Sequence, residues 1–259
     1  MPLAYDEYLV PRLYMPWGRK LVELAKVGPS HHVADIATGP GTVARLVSPV
    51  VGVSGRVAAL DINPGMLAQA KQHGRLPSGA GVEYFEGQAE KLPFEDAQFH
   101  IAICQYGFQE FKDREAAMAE IGRVVRKGGR AAIAIWAPLQ EAQYWYAVGI
   151  ALKRSLPNLV DAIRAMGAFS DAAQLKGLLE SHGYHRVEVH TMEIPLRFED
   201  GVAQALASVR GTPFGNRIFE LATVRHAFES AAKPVFEHFA TDRGIVFPMR
   251  AHLAIAVKA

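Results

Sequence analysis

Two carboxylates and a glycine-rich loop are the residues of this sequence whose types and spacing could do chemistry. Asp35 precedes a loop that contains Gly39 and Gly41, and Asp61 stands twenty residues after the second glycine. Glycines let a ligand approach the backbone closely, and a helix that begins beyond such a loop points unpaired N–H groups towards it. Asp61 could accept hydrogen bonds from the two hydroxyls of a ribose. The pattern predicts a site for a cofactor that contains adenosine.

The charge of this loop argues against a dinucleotide. The spacing Gly39-x-Gly41-x-x-Ala44 would fit the dinucleotide fingerprint. However, Asp35 would repel a pyrophosphate, and Pro40 lacks an N–H group that could have bound a phosphate oxygen. A carboxylate in front of the loop suits a cationic ligand better. A nicotinamide-dependent oxidoreductase therefore stays open only as an alternative.

The elements that position these residues alternate between strand and helix. Near-continuous apolar strands that alternate with helices are typical of a parallel sheet covered on both faces. We predict helices over 64–73 and about 113–126, the second ending at Gly128 and Gly129. The predicted strands of this region are 33–36, 56–62, 82–88, 99–106 and 130–136.

The two flanking regions are predicted to be mostly helical. Residues 1–27 carry tyrosines at helical spacing, and Pro11 and Pro16 should break that helix into pieces. Beyond the fifth strand we predict an aromatic helical stretch over 138–166, a helix over 171–182 and a strand over 186–198. Helices follow over 201–239 with a break near 211–213, and the last part of the closing segment, HLAIAVK at 252–258, is strand-like.

The bulk composition excludes several classes of function. A net charge of +2 in 259 residues, without a basic stripe, favours neither nucleic acid nor an anionic membrane as a partner. The single cysteine, Cys104, excludes an internal disulfide, and none of the ten histidines has zinc-site spacing. Neither a signal peptide nor a membrane-spanning apolar stretch is visible. We therefore expect a cytoplasmic protein with a small-molecule substrate and no bound metal.

Several motifs, taken in order, resemble those of class I S-adenosylmethionine-dependent methyltransferases of the ubiquinone/menaquinone-biosynthesis branch (methyltransferase type 11). The resemblance covers residues 33–136. It is carried by VADIATGPG at 33–41, AALDINPGMLAQAK at 58–71, VEYFEGQAEKLPFEDAQFHIAICQYGF at 82–108 and EIGRVVRKGGRAAIAIW at 120–136.

The resemblance implies an α/β fold. This is a doubly wound, Rossmann-like fold with a seven-stranded, mostly parallel sheet, an antiparallel last strand, and helical cap elements at the N-terminus and after the fifth strand. It implies one methyltransferase domain over 1–259, divided into an N-terminal lid (1–30), a cofactor-binding half (31–137), a helical cap (138–170) and a C-terminal part with substrate-side helices (171–259).

The implied activity is methyl transfer from S-adenosylmethionine, leaving S-adenosylhomocysteine, to a small organic acceptor with a partly hydrophobic body. A protein that binds the cofactor without transferring its methyl group is the second alternative. The attacking atom of the acceptor stays open. So does the assembly state, for which a homodimer is one option.

The resemblance also implies which residues bind the cofactor. The methionine moiety would lie by Asp35, Ala37, Thr38, Gly39 and Gly41, the ribose by Asp61, the adenine by Ile62, Met66, Gln88, Ala89 and Glu90, and the methyl-donor pocket by Gln105 and Tyr106. The sequence departs from the family pattern at three positions. Ala37 replaces a common glycine, Gln88 a usual aspartate, and His100 a usual acid at the start of the fourth strand.

The acceptor pocket is expected in the aromatic segments outside the cofactor-binding half. Tyr8, Tyr14, Tyr144 and Trp145 are the predicted substrate-binding residues. The sequence contains no signature of a general base, so the catalytic residues are left unassigned. Glu110, His226, His238 and His252 qualify by residue type alone.

Overall fold

A computed structural model describes residues 2–74 and 78–259 of the chain, which form ten strands and eleven α-helices. The strands are β1 His32–Ile36, β2 Arg56–Asp61, β3 Val82–Glu86, β4 Phe99–Gln105, β5 Val125–Trp136, β6 Tyr184–Glu193, β7 Leu196–Phe198, β8 Ala240–Thr241, β9 Gly244–Phe247 and β10 Arg250–Lys258. The helices are α1 Pro2–Ala4, α2 Met15–Leu24, α3 Thr42–Val51, α4 Pro64–Gln72, α5 Arg114–Val124, α6 Gln143–Ser155, α7 Val160–Met166, α8 Ala172–Ser181, α9 Gly201–Ser208, α10 Gly215–Phe219 and α11 Ala222–Glu237.

The contacts divide the chain into two units, each assembled from three separate stretches. Unit 1 consists of Met1–Pro16, Trp136–Ser170 and Met192–Ala251. Unit 2 consists of Trp17–Ile135, Asp171–Thr191 and His252–Ala259. The assignment of one methyltransferase domain to 1–259, with its four functional segments, stays a prediction.

Unit 2 holds most residues of a seven-stranded sheet with the order β3-β2-β1-β4-β5-β10-β6. Strand β1 pairs in parallel with β2 on one side and β4 on the other, and β2–β3 and β4–β5 are parallel as well. The sheet is mostly parallel with one antiparallel strand, which confirms the predicted Rossmann-like fold. The apolar strands predicted this arrangement because a parallel sheet buries both of its faces.

The boundary between α5 and β5 was predicted wrongly. The helix ends at Val124, and the strand begins at Val125 rather than at Arg130. Val125 already pairs with Phe99, and the register between β4 and β5 then shifts. Gly128 and Gly129, which were predicted to end the helix, instead lie within this irregular start of the strand, where Gly128 has a φ of 71°.

The sequence prediction and the structure also differ at several prolines. The N-terminal helix is not broken at Pro11 or Pro16. Pro11 lies in the wider turns of a π-helix over Tyr5–Tyr14, and this helix continues directly into α2, whose second residue is Pro16. By contrast, Pro195 separates β6 from β7, and Pro248 separates β9 from β10. The predicted strand over 186–198 is therefore two strands in different sheets. The strand-like residues HLAIAVK, at 252–258, lie within β10.

Unit 1 packs helices α6, α7 and α9–α11 with a small antiparallel sheet of order β7-β9-β8. The predicted helical stretch over 138–166 is present as α6, a 3₁₀ turn over Pro157–Leu159, and α7. Its core is aromatic, with Tyr144, Phe198, Phe236 and Phe247 fully buried against one another. Among the described residues, no helix has the length and apolar character needed to cross a membrane.

Candidate functional site

The candidate site lies in unit 2, at the carboxyl ends of β1, β2 and β4. Strand β1 has neighbours on both sides, β2 and β4, which run parallel to it. This is the point where the strand order reverses, and open α/β sheets bind ligands in the crevice outside such strand ends. Asp35 stands near the end of β1, Asp61 ends β2 and Gln105 ends β4, so the fold brings these three predicted residues to one edge of the sheet.

Asp35 is a buried acid with an unusual affinity for a proton. Its side chain is 1% exposed. One carboxylate oxygen, Oδ2, accepts hydrogen bonds from the Thr38 hydroxyl at 2.5 Å and from the Ala44 N–H at 2.9 Å. Burial raises the pKa of Asp35 to about 7, and the nearby charge of Asp61 adds to the rise. A cation placed beside this carboxylate would replace the solvation that burial removes.

Asp61 connects the end of β2 to the glycine-rich loop. Its Oδ2 accepts the Gly39 N–H at 2.7 Å, and its Oδ1 accepts the Asn63 N–H at 2.8 Å. Burial raises the pKa of Asp61, and these backbone hydrogen bonds oppose that rise. Each carboxylate oxygen has two lone pairs. Asp61 therefore retains acceptor capacity for the hydroxyls of a ligand while it holds the loop.

The loop glycines have different structural roles. Gly39 and Gly41 both have positive φ angles, of 56° and 79°. A Cβ added at Gly41 would lie 3.2 Å from the Ala70 Cβ and 3.3 Å from the Tyr84 hydroxyl, so helix packing favours glycine there. A Cβ added at Gly39 would meet no atom within 4 Å. The space at Gly39 is open for a ligand to contact the backbone.

Ala37 occupies a position at which glycine is the favoured residue. Its φ is 58°, a left-handed conformation that costs a residue with a Cβ roughly 1–2 kcal/mol. Gly107, in the turn after β4, makes room for the alanine methyl group. A Cβ at Gly107 would lie only 2.3 Å from the Ala37 Cβ. Sequence reasoning missed Gly107, although it lies within the motif that ends in QYGF.

Two of the residues predicted to contact the adenine are not part of the hydrophobic core. Ile62 follows Asp61 directly and is 63% exposed, which is unusual for isoleucine. Met66, in the first turn of α4, is half-buried. Asn63 fixes that turn by accepting the Gly65 and Met66 N–H groups with its side-chain oxygen. An exposed apolar side chain beside an acid is a surface on which a flat ring could pack.

The three residues predicted to bind adenine in the segment after β3 differ in their exposure to solvent. Gln88 is exposed, and Ala89 is buried. Glu90 is half-buried, and its Oε1 accepts the backbone N–H groups of Lys112 and Asp113 at 3.1 and 3.4 Å. The Glu90 carboxylate thus holds the loop before α5. The adenine-binding role of these residues stays a prediction.

Gln105 and Tyr106 lie against helix α2. The Gln105 Oε1 is 3.2 Å from the position that a Cβ on Gly18 would occupy. The Tyr106 ring packs edge-on against Trp17, with 6.4 Å between ring centroids, and its φ is 59°. Gly18 and Trp17 were not predicted from the sequence. The lack of a side chain at Gly18 lets the Gln105 amide approach the helix.

The predicted substrate-binding residues all belong to unit 1. Tyr144 is fully buried, and its hydroxyl lies 2.8 Å from that of Ser208. Trp145 is also fully buried, and its indole N–H has no hydrogen-bond partner among the described residues. Tyr14 is 7% exposed, whereas Tyr8 is half-buried. All but Tyr8 thus pack in the interior of unit 1, and their contact with an acceptor stays a prediction.

The candidates for a general base are not arranged as a catalytic group. His252 is buried, and its Nδ1 lies 2.8 Å from the Thr191 hydroxyl. His226, His238 and Glu110 are exposed. Cys104 is buried, and burial raises the pKa of its thiol, which makes it a poor nucleophile. In the described parts of the chain, no group of three or more potential ligands could hold a metal ion.

Comparison with known proteins identifies the family. A family profile described as a methyltransferase domain matches residues 34–133. The ubiquinone/menaquinone biosynthesis C-methyltransferase UbiE of Legionella pneumophila (strain Paris) is 30% identical over 192 residues, which cover 68% of this chain and 75% of that protein. The chain belongs to the class I S-adenosylmethionine-dependent methyltransferases of the UbiE type. UbiE of Ectopseudomonas mendocina is 29% identical over 199 residues, covering 72% of this chain and 78% of its own.

Solved structures share the fold of this methyltransferase. The YcgJ protein of Bacillus subtilis aligns with a TM-score of 0.63 and 20% identity, over 94% of this chain and 98% of its own. Phosphoethanolamine N-methyltransferase 2 of Haemonchus contortus, solved with S-adenosyl-L-methionine, aligns with a TM-score of 0.66 and 18% identity, over 99% of this chain and 56% of its own. The predicted family, cofactor and methyl-transfer activity are confirmed. The two alternatives, binding without transfer and nicotinamide-dependent oxidation, are not favoured.

Proposed function

We propose that the crevice at the ends of β1, β2 and β4 binds S-adenosylmethionine. The observation that carries the proposal is the open space at Gly39, between a buried acid that would favour a cation and an acid with spare hydrogen-bond capacity. Asp35 would face the positive charge of the methionine moiety. Asp61 would accept the ribose hydroxyls. Ala37, Thr38, Gly39 and Gly41 would contribute the loop backbone.

The remaining cofactor contacts follow from the same placement. Ile62 and Met66 would pack against the adenine, and Gln88, Ala89 and Glu90 would line its edge. Gln105 and Tyr106 would border the methyl-donor pocket. S-adenosylmethionine supplies a methyl group that its sulfonium already activates, so transfer depends mainly on the proximity and alignment of the acceptor. The protein can therefore promote methyl transfer by holding the acceptor in line with the methyl group. An acceptor whose attacking atom carries no proton that must be removed needs no general base.

The proposed acceptor is a small organic molecule with a hydrophobic body. Its support is the aromatic and apolar character of unit 1, where Tyr8, Tyr14, Tyr144 and Trp145 lie. The indole N–H of Trp145 is a buried donor that an acceptor oxygen could satisfy. The relatives named as ubiquinone/menaquinone C-methyltransferases make phenols and quinols the first acceptors to test. A cytoplasmic location without nucleic-acid or membrane partners belongs to the same proposal, and a homodimer stays a prediction.

Calorimetric titration of two alanine variants tests the cofactor site. Gly39→Ala and Gly183→Ala each place a Cβ at a positive φ, of 56° and 77°, with no atom within 4 Å. Both should lower the unfolding temperature to a similar extent, because the left-handed backbone disfavours alanine. Only Gly39→Ala should weaken S-adenosylmethionine, by tenfold or more. Equal affinity in the two variants would contradict the proposed site.

Methyl transfer to a graded panel of acceptors tests the second half of the proposal. The release of S-adenosylhomocysteine is followed with phenols and quinols that carry alkyl chains of increasing length, and with polar acceptors of matched size. The value of kcat/KM should rise with the apolar area of the acceptor because burial of that area favours binding. A consistent preference for the polar acceptors would contradict a hydrophobic pocket.

A further inference from the structure

Unit 1 contains a cavity that none of the proposed cofactor-binding residues lines. Its volume is about 640 Å³, which falls within the range of small-molecule sites. Helix α6 forms one wall, and residues near the C-terminal end of α11 form another, together with the ends of β6, β9 and β10. All of the lining residues belong to unit 1.

The α6 wall is a continuous stripe along the helix. Gln143, Tyr146, Ala147, Ile150 and Arg154 line the cavity. Positions 143, 147, 150 and 154 are three or four residues apart, and 146 is three residues from 143 and four from 150, so all five lie on one face of the helix. From the first to the last of them the helix advances eleven residues, or ~16 Å at 1.5 Å per residue. The cavity is therefore elongated along α6, with the start of the helix at one end and Arg154 at the other.

The body of this groove is apolar and partly open. Tyr146 is 39% exposed, and Ile150 on the same face is half-buried. Val235, Phe239 and Pro248 line the groove opposite them and are half-buried as well. An elongated apolar surface of this kind favours a ligand with a hydrophobic chain or a row of rings.

The charges at the two ends of the groove differ in their pairing. At the start of α6, Arg250 donates a hydrogen bond to Glu141 at 2.8 Å and lies 3.8 Å from Glu193. Its positive charge is therefore already balanced by carboxylates. At the other end, Arg154 is exposed and has neither a hydrogen bond nor an ion pair among the described residues. An anion at that end would meet an unpaired guanidinium, whereas an anion at the Arg250 end would be repelled by the two glutamates.

We propose that this groove binds an elongated hydrophobic carboxylate, with its apolar chain along α6 and its carboxylate at Arg154. The guanidinium can donate two parallel hydrogen bonds to a carboxylate, which fixes the orientation of the ligand. The groove needs no S-adenosylmethionine for this binding. A failure of the proposed cofactor site therefore leaves this inference standing, and the reverse is also true.

Calorimetric titration with dodecanoate, below its critical micelle concentration and without cofactor, tests the inference. Dodecanoate should bind with one site per chain. The alcohol 1-dodecanol, which has the same chain and no charge, should bind with an affinity at least about tenfold lower. Arg154→Glu should weaken dodecanoate by at least tenfold and leave 1-dodecanol nearly unchanged. Lys153→Glu is the matched control, because it changes the same charge on the neighbouring exposed residue, which does not line the groove.

A second variant tests the position of the apolar chain. Ile150→Asn places a polar group in the middle of the α6 stripe and should weaken dodecanoate and 1-dodecanol by similar factors. Circular dichroism at the titration temperature confirms that each variant is folded. Equal effects of Arg154→Glu and Lys153→Glu, or binding without saturation near one site per chain, would overturn the proposal. Sedimentation supplies a further refuting result. If the chain forms a dimer that covers the groove and dodecanoate does not dissociate it, the proposal is wrong.

Discussion

Replacing Asp35 with asparagine should stabilise the protein at pH 8 while weakening its binding of S-adenosylmethionine. The asparagine has nearly the same shape, and its carbonyl oxygen can still accept the hydrogen bonds from Thr38 and Ala44 that the carboxylate accepts. What the substitution removes is a charge with almost no exposed surface. The same charge is what a cationic ligand would recognise.

The size of the stability effect follows from the pKa of Asp35, which burial raises from 3.8 to about 7. Below pH 3.8 the carboxyl holds its proton in both the folded and the unfolded chain. Between pH 3.8 and 7 only the folded chain holds it, so stability is lost as the pH rises through that window. At about 1.36 kcal/mol per pKa unit, the full cost above pH 7 is up to about 4 kcal/mol. Asp35→Asn should recover much of it at pH 8 and little at pH 4.

The same pKa makes the binding of a cation dependent on pH. About half of the Asp35 side chains are ionised at pH 7 and about a tenth at pH 6, so wild-type affinity should fall roughly tenfold between pH 8 and pH 6. Asp35→Asn should lack this component and should bind more weakly than the wild type at pH 8. Any titration of S-adenosylmethionine itself is common to both proteins and cancels in the comparison.

Two measurements check these expectations. Thermal unfolding at pH 4, 6 and 8 should show an advantage of the variant that grows with pH, at about 2–4 °C for each kcal/mol in a chain of this size. Calorimetric titration over the same range gives the two affinity profiles. The reasoning would be refuted by parallel affinity profiles, or by a variant no more stable than the wild type at pH 8.

Two further predictions concern the residues that hold the loop. Asp61→Asn should weaken S-adenosylmethionine by roughly tenfold to a hundredfold in calorimetry, because hydrogen bonds to a charged acceptor contribute about 1.5–3 kcal/mol each; an unchanged affinity would rule out contact with the ribose. Gly107→Ala should cost about 1–3 kcal/mol in urea unfolding, because its Cβ would lie 2.3 Å from that of Ala37. In the Ala37→Gly background the next neighbour is the Cys104 sulfur at 3.4 Å, so most of that cost should disappear. Equal costs in both backgrounds would show that the two positions are independent.

The fold and the position of the site could be predicted because their signals are local in the sequence. Buried parallel strands are apolar throughout, and Asp35 and Asp61 mark the strand ends where the loop and the next helix begin. Pro195 and Pro248 were equally visible, and each of them separates two strands. The rule that proline interrupts a ladder should have divided the predicted strand over 186–198 at Pro195.

The contacts that complete the site could not be predicted, because they join residues distant in the sequence. Gly107 accommodates the methyl group of Ala37 from seventy residues away, and Gln105 rests against Gly18. Periodicity reports which face of an element is apolar, whereas these contacts depend on how closely two backbones approach. The carboxylate of Glu90 illustrates the same limit, since its motif indicates a ligand contact and the structure shows it bound to the loop before α5.

The place of β10 in the sheet has a consequence for the synthesis of this protein. It is the last strand of the described chain, yet it lies between β5 and β6. Synthesis proceeds at about 5–20 residues per second, so the ribosome needs several seconds to make the 56 residues between β6 and β10. During that time the facing edges of β5 and β6 have no partner, and unpaired edges associate with other chains. We therefore expect the nascent protein to carry unpaired strand edges, and a tendency to aggregate through them, until β10 joins the sheet.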